Sequence, residues 1–121
     1  MSKTGEFAAM VFVGRDMAHR AHWKTRSYAE HMALGEFYDG VIPLLDKFVE
    51  AYQGRFGELI EVPLADNDFE GEIADVLEQQ MAWIEDNRKD IAPKDESALH
   101  NELDTIVSLY QSTLYKLRFL S

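Results

Sequence analysis

The chain of 121 residues contains no cysteine. Disulfides and thiolate metal sites are therefore excluded, and the composition fits a reducing compartment. No apolar run approaches the ~20 residues needed to span a bilayer, so no membrane partner is expected. The first residues, "MSKTGEF", lack the hydrophobic core of a signal peptide, which makes the cytoplasm the expected location. Positive charge is also short: 12 Lys and Arg face 22 Asp and Glu, a formal charge of −10. Nucleic acid is bound by neutralising phosphates with Lys and Arg. The longest basic clusters are only "HRAHWKTR" and "YKLRF", so nucleic acid is not an expected partner. Cations suit this balance better.

Hydrophobic residues make up 46% of the chain and charged residues 28%, the balance of an ordinary globular protein. The length suits a single domain, residues 1–121, with a real core. Four segments carry apolar residues at helical spacing. The first runs from about Glu6 to Trp23, with Phe7, Met10, Val11, Met17, Ala18 and Ala21 on one stripe. The second opens at "SYAE", where Ser27 and Glu30 make a capping-box pattern. Its stripe is Leu34, Phe37, Tyr38, Val41, Leu45, Phe48 and Tyr52. A left-handed cap is expected near Gly54 and a bend at Pro43. The third covers about Phe69 to Asp90, with Ile73, Val76, Leu77, Met81 and Ile84. The fourth covers about Glu96 to Phe119, with Leu99, Leu103, Ile106, Val107, Tyr110, Leu114 and Leu117.

The connections limit the topology. Three residues, "KTR", join the first two helices, and "APKD" joins the last two, so each pair must lie antiparallel. Between the second and third lies "GRFGELIEVPLADND", which could reach ~50 Å at ~3.3 Å per residue. A helix of about 25 residues is only ~37 Å long. The expectation is all-α: a ferritin-like four-helix bundle, two helical hairpins joined by a long crossover, with an up-down-up-down bundle as the alternative.

Polar residues off these stripes carry the functional reading. With His31 at zero and 100° per residue, Asp46 falls near 60° and Glu50 near 100°, off the core stripe. They stand one turn apart, and like charges at that spacing repel unless something positive lies between them. His19 and His22 share a face of the first helix. His31 stands in the first turn of the second, where the dipole favours neutral imidazole, the form that ligates metal. His31 and Asp46 are ~22 Å apart along one helix and cannot share a site within one chain. A second copy packed antiparallel about a two-fold axis would bring the histidine end of one chain to the carboxylate end of the other. Two imidazoles and two carboxylates suit Fe or Zn. Because ligation needs neutral imidazole, binding is expected to weaken as pH falls through about 6.5, the unperturbed histidine value.

"AHW", a later His at the start of the next helix, and "D-x-x-x-E" fifteen residues on resemble the mini-ferritins of the Dps family. The matching segment reads "AHWKTRSYAEHMALGEFYDGVIPLLDKFVEAYQGRFG", with a fainter match at "STLYKLRFLS". The resemblance implies His22, His31, Asp46 and Glu50 as iron ligands shared across a two-fold axis, with His19 the alternative to His22 and Trp23 packed beside the site. It also implies a homo-oligomer and Fe(II) oxidation as the reaction such a site supports. The alternatives are a redox-silent Zn-bound dimer, and a non-catalytic assembly protein that keeps the fold without a working metal site. "DNDFEGEIADVLE", Asp66 to Glu78, imitates a calcium loop, but Leu77 stands where the bidentate ligand belongs. That stretch reads as a helix start. Met1, Met10, Met17, Met32 and Met81 read as core filler.

Overall fold

The computed structural model describes residues 2–67 and 69–121. It contains four helices: α1 (Lys3–Lys24), α2 (Tyr28–Phe56), α3 (Ile73–Ile91) and α4 (Ser97–Phe119). Met1 and Asp68, assigned above to the core and to the calcium-like stretch, lie outside the described residues.

α1 packs on α2 and α3, and α4 packs on the same two, so α1 and α4 stand on one diagonal and α2 and α3 on the other. Cross-links fix the directions. Thr4, at the start of α1, donates to the carbonyl of Ile91 at the end of α3 (2.6 Å). Down the α2–α4 seam, Glu36 meets Lys116, Lys47 meets Glu102, and Arg55 meets Glu96. Every neighbouring pair is therefore antiparallel. That arrangement requires the connection after α2 to return along the bundle. It does: Pro63, Ala65 and Asp66 line one cleft with Ala9, Val13 and Gln80. This is the bundle of two hairpins and one crossover expected from the sequence.

The core is built by the helices. Phe7, Val11, Leu34, Phe37, Val41, Leu45, Phe48, Leu77, Ile84, Leu103, Ile106 and Tyr110 are among its buried members. Each follows the 3.6-residue stripe of its helix, so burying one face suffices to hold all four together. Met10 and Met81 pack partly against this core. Met32 does not: it is 45% exposed on the outer side of α2.

Two helix ends differ from expectation. α2 passes through Gly54 and ends at Gly57, which takes a left-handed backbone (φ 67°) and donates its N–H to the Gln53 carbonyl. The Gln53 side chain then accepts from the Ile60 N–H at 2.8 Å, turning the chain away. Pro43 lies inside a continuous α2. α3 starts at Ile73 rather than Phe69, because Gly71 at φ 111° cannot join a right-handed helix. Asn67 holds the stretch before it in a local turn, its Oδ1 accepting from the Phe69 N–H at 3.0 Å. None of the described helices is long and apolar enough to cross a membrane.

Candidate metal site

Three of the four histidines gather at the α1–α2 turn. α1 stops where Thr25 leaves the helical region (φ −69°, ψ 150°). Ser27 then caps α2, its Oγ accepting from the Glu30 N–H at 3.2 Å. The reciprocal half of the expected capping box is missing: the Ser27 N–H donates to Thr25 Oγ1 instead, at 3.1 Å. So short a turn sets His22, in the last turn of α1, directly against His31, in the first turn of α2.

The two side chains grip each other's backbone. His22 Nδ1 lies 2.6 Å from the His31 carbonyl oxygen, and His31 Nδ1 lies 2.8 Å from the His22 carbonyl oxygen. A carbonyl can only accept, so each Nδ1–H donates. In a neutral ring so held, Nε2 carries the lone pair, and a backbone carbonyl on the other ring nitrogen is the usual support of a metal-ligating histidine. The rings stack, with centroids 3.6 Å apart and planes at 17°. An imidazole holds a cation close to its own plane at about 2.0–2.1 Å. Two nearly parallel planes at this separation share no such point. In this arrangement the two rings could not share a cation unless one of them turned.

His19 stands beside the pair, 6.2 Å from His22 between centroids, and stacks on Tyr38 at 4.0 Å. Trp23 was expected to pack beside the site. It reaches His19 at 4.6 Å but is otherwise open to solvent, 72% exposed. Tyr28 and Met32 are also exposed, so the histidine end of the hairpin carries an apolar rim.

Asp46 and Glu50 are exposed. Neither makes an ion pair among the described residues. Because α2 runs unbroken past both, they remain ~22 Å or more from His31 along the helix. The structure thus brings the histidines together and keeps the carboxylates at the far end. Among the described residues, no cluster of three or more His, Asp or Glu is placed to hold a metal ion within one chain.

The fourth histidine is committed elsewhere. His100 Nδ1 accepts from Arg88 Nε at 3.0 Å, and its Nε2 lies 3.1 Å from the carbonyls of both Ala92 and Pro93. Arg88 also holds Asp104 and Glu85. This cluster closes the α3–α4 turn. Two charged residues that sequence reasoning passed over stand between the two ends of the first hairpin. Arg15 lies over the Tyr38 ring at 5.3 Å, and Asp39 follows Tyr38 on the exposed side of α2. Turning α2 by 100° per residue would have found Asp39 on the stripe of Asp46 and Glu50.

These features define a small one-crossover helical bundle with a histidine cluster at one end of a hairpin and free carboxylates at the other. The chain belongs to the DUF5856 family, a family of unknown function, whose pattern matches residues 22–117. That span begins at His22 and takes in His31, Asp46 and Glu50, leaving His19 outside. Over 56 residues the chain is 36% identical to an uncharacterized 14.6 kDa protein in the mobD-ri intergenic region of Enterobacteria phage T4. The match covers 46% of this chain and 44% of the phage protein, so it spans less than half of that relative. No solved structure matches the chain.

Proposed function

We propose that this protein binds divalent transition-metal cations, iron first and zinc second, at sites shared across a two-fold dimer. His22 and His31 of one chain face Asp46 and Glu50 of its partner, and His19 is the substitute for His22. The observation that carries the reading is the reciprocal pair of Nδ1–H···O=C bonds, which leaves both Nε2 lone pairs free. The exposed carboxylates one turn apart, unpaired among the described residues, supply the complementary charge. Nitrogen and carboxylate donors together suit Fe and Zn, and a bound iron would supply one-electron redox chemistry. In this reading Fe(II) is also a substrate for oxidation, as the resemblance to Dps-family mini-ferritins implies. Within it, the stack favours one imidazole per cation. The two carbonyls hold the rings' orientation, and protons compete for each Nε2, so uptake weakens on acidification.

The test is anaerobic Fe(II) titration followed by oxygen uptake, with a parallel Zn(II) titration, on untagged parent and on Asp46→Ala/Glu50→Ala. The parent should bind and the double variant should not, while both keep the same helical circular dichroism because the two acids lie outside the core. Equal binding by the two proteins would overturn the reading. The exposed Trp23, Tyr28 and Met32 favour a second reading, a dimeric assembly protein without metal. Its sign is a parent that dimerises but takes up neither cation.

A further inference from the structure

We propose that Arg15 and Asp39 form two reciprocal ion pairs at the two-fold axis of a dimer of this chain, each Arg15 meeting the Asp39 of the other copy. The inference rests on the dimer proposed above and identifies the residues that set its register.

Asp39 has the height along the hairpin that such an axis requires. Antiparallel pairing that sets His31 of one copy against Asp46 and Glu50 of the other puts the axis midway between them, at roughly residues 38–41 of α2. Asp39 lies there. Asp39 also has the required azimuth. At 100° per residue Asp39 falls about 80° from His31, between Asp46 at about 60° and Glu50 at about 100°. Tyr28, Met32 and Pro43 fall on the same stripe, and all six side chains are exposed. A face that presents Asp46 and Glu50 to a partner must also present Asp39.

Two Asp39 carboxylates brought together at an axis would repel, by a like-charge cost that grows as water is excluded. Arg15 removes that cost. Its guanidinium lies over the ring of Tyr38, which sets it on α1 at the height of Asp39. Neither Arg15 nor Asp39 has an ion-pair partner among the described residues. The axis then carries two positive and two negative charges in alternation. Away from the axis, the apolar rim of Trp23, Tyr28 and Met32 meets the far end of the partner's α2. The patch is self-complementary, as a two-fold interface must be, and a second copy is its occupant.

Sedimentation velocity at micromolar concentration, in the presence of a chelator, tests the arrangement without metal. The parent should sediment as a dimer, and Arg15→Glu and Asp39→Arg should each associate at least tenfold more weakly. An equimolar mixture of the two variants should form a heterodimer, because every axial charge again faces its opposite. The double variant Arg15→Glu/Asp39→Arg should dimerise with itself. Circular dichroism of each single variant should match the parent, and heterodimer formation itself shows that the single variants fold. A monomeric parent, single variants that dimerise like the parent, or a mixture that stays monomeric would each overturn the inference. Loss of metal binding in Asp46→Ala/Glu50→Ala with unchanged single-variant dimers would sink this pairing and leave the metal reading intact. A parent that dimerises through Arg15 and Asp39 but binds no cation would do the reverse.

Discussion

Gln80 sits wholly inside the bundle, and every polar atom of its side chain is occupied. Its Oε1 accepts from the Tyr110 hydroxyl at 2.7 Å, and its Nε2 donates to the Met10 carbonyl at 3.1 Å. Gly14 makes room for it: a methyl at that position would run into the Gln80 carboxamide. Tyr110 in turn meets Phe37 edge-on at 5.0 Å, so one hydrogen-bonded pair touches all four helices. Tyr110→Phe leaves Gln80 Oε1 buried without a donor and should cost about 1–3 kcal/mol. Gln80→Leu/Tyr110→Phe should cost less than the sum of the single changes, read by urea denaturation as a double-mutant cycle. Burial pushes the Tyr110 phenol well above its ordinary value. The folded state therefore holds a proton that the unfolded chain releases near pH 10. This contribution to stability is complete below that pH and is lost progressively as pH rises from there towards the higher folded value. Urea midpoints from pH 8 to 11 should fall more steeply for the parent than for Tyr110→Phe.

At the scale of the helices, the caps decide where each element stops. Gly57 is the left-handed cap of α2, so Gly57→Ala should destabilise by about 1–2 kcal/mol. Gly54 lies three residues earlier inside the helix, with open space around it. Gly54→Ala should therefore stabilise, by about 0.5–1 kcal/mol. Thermal melts of the two variants should move in opposite directions; a cap at Gly54 would reverse both signs. The capping residue Ser27 matters differently, because the turn it closes is what brings His22 against His31. Its neighbour Thr25 takes over the bond that Glu30 was expected to make, a substitution within three residues that no pattern of spacing announces.

Across the whole molecule, the crossover is a strap on a bundle that the helices have already closed. None of the described residues between 57 and 72 is buried, and Leu59 and Leu64 stand almost fully in solvent. The core is shared between the two hairpins through the α1–α3 and α2–α4 seams. Chymotrypsin should therefore cut first within the crossover, yielding two fragments that elute together and keep the parent's helical circular dichroism. Fragments that separate in native buffer would show that the strap, rather than the seams, holds the hairpins together.

Local rules carried a large part of this architecture. The 3.6-residue stripes place four helices, because burying one face is the main source of helix stability. Two short turns make each hairpin antiparallel, because three residues cannot reach the far end of a helix. The distance from His31 to Asp46 also follows from the residue count alone, since an α-helix advances by a constant rise. What tertiary packing decided is non-local. Gln80, an ordinary polar residue in sequence, is buried because Gly14, Met10 and Tyr110, on other helices, surround it with a fitted cavity and two partners. His22 and His31 are nine residues apart and could have splayed; their rings stack because each carbonyl at the turn is free to accept from the other's Nδ1–H. The choice of α3 as the neighbour of α1 likewise rests on seams between segments some seventy to ninety residues apart, such as Thr4 on Ile91 and Gln80 on Met10. Such contacts form only when the whole chain has closed, so periodicity along the sequence carries no trace of them.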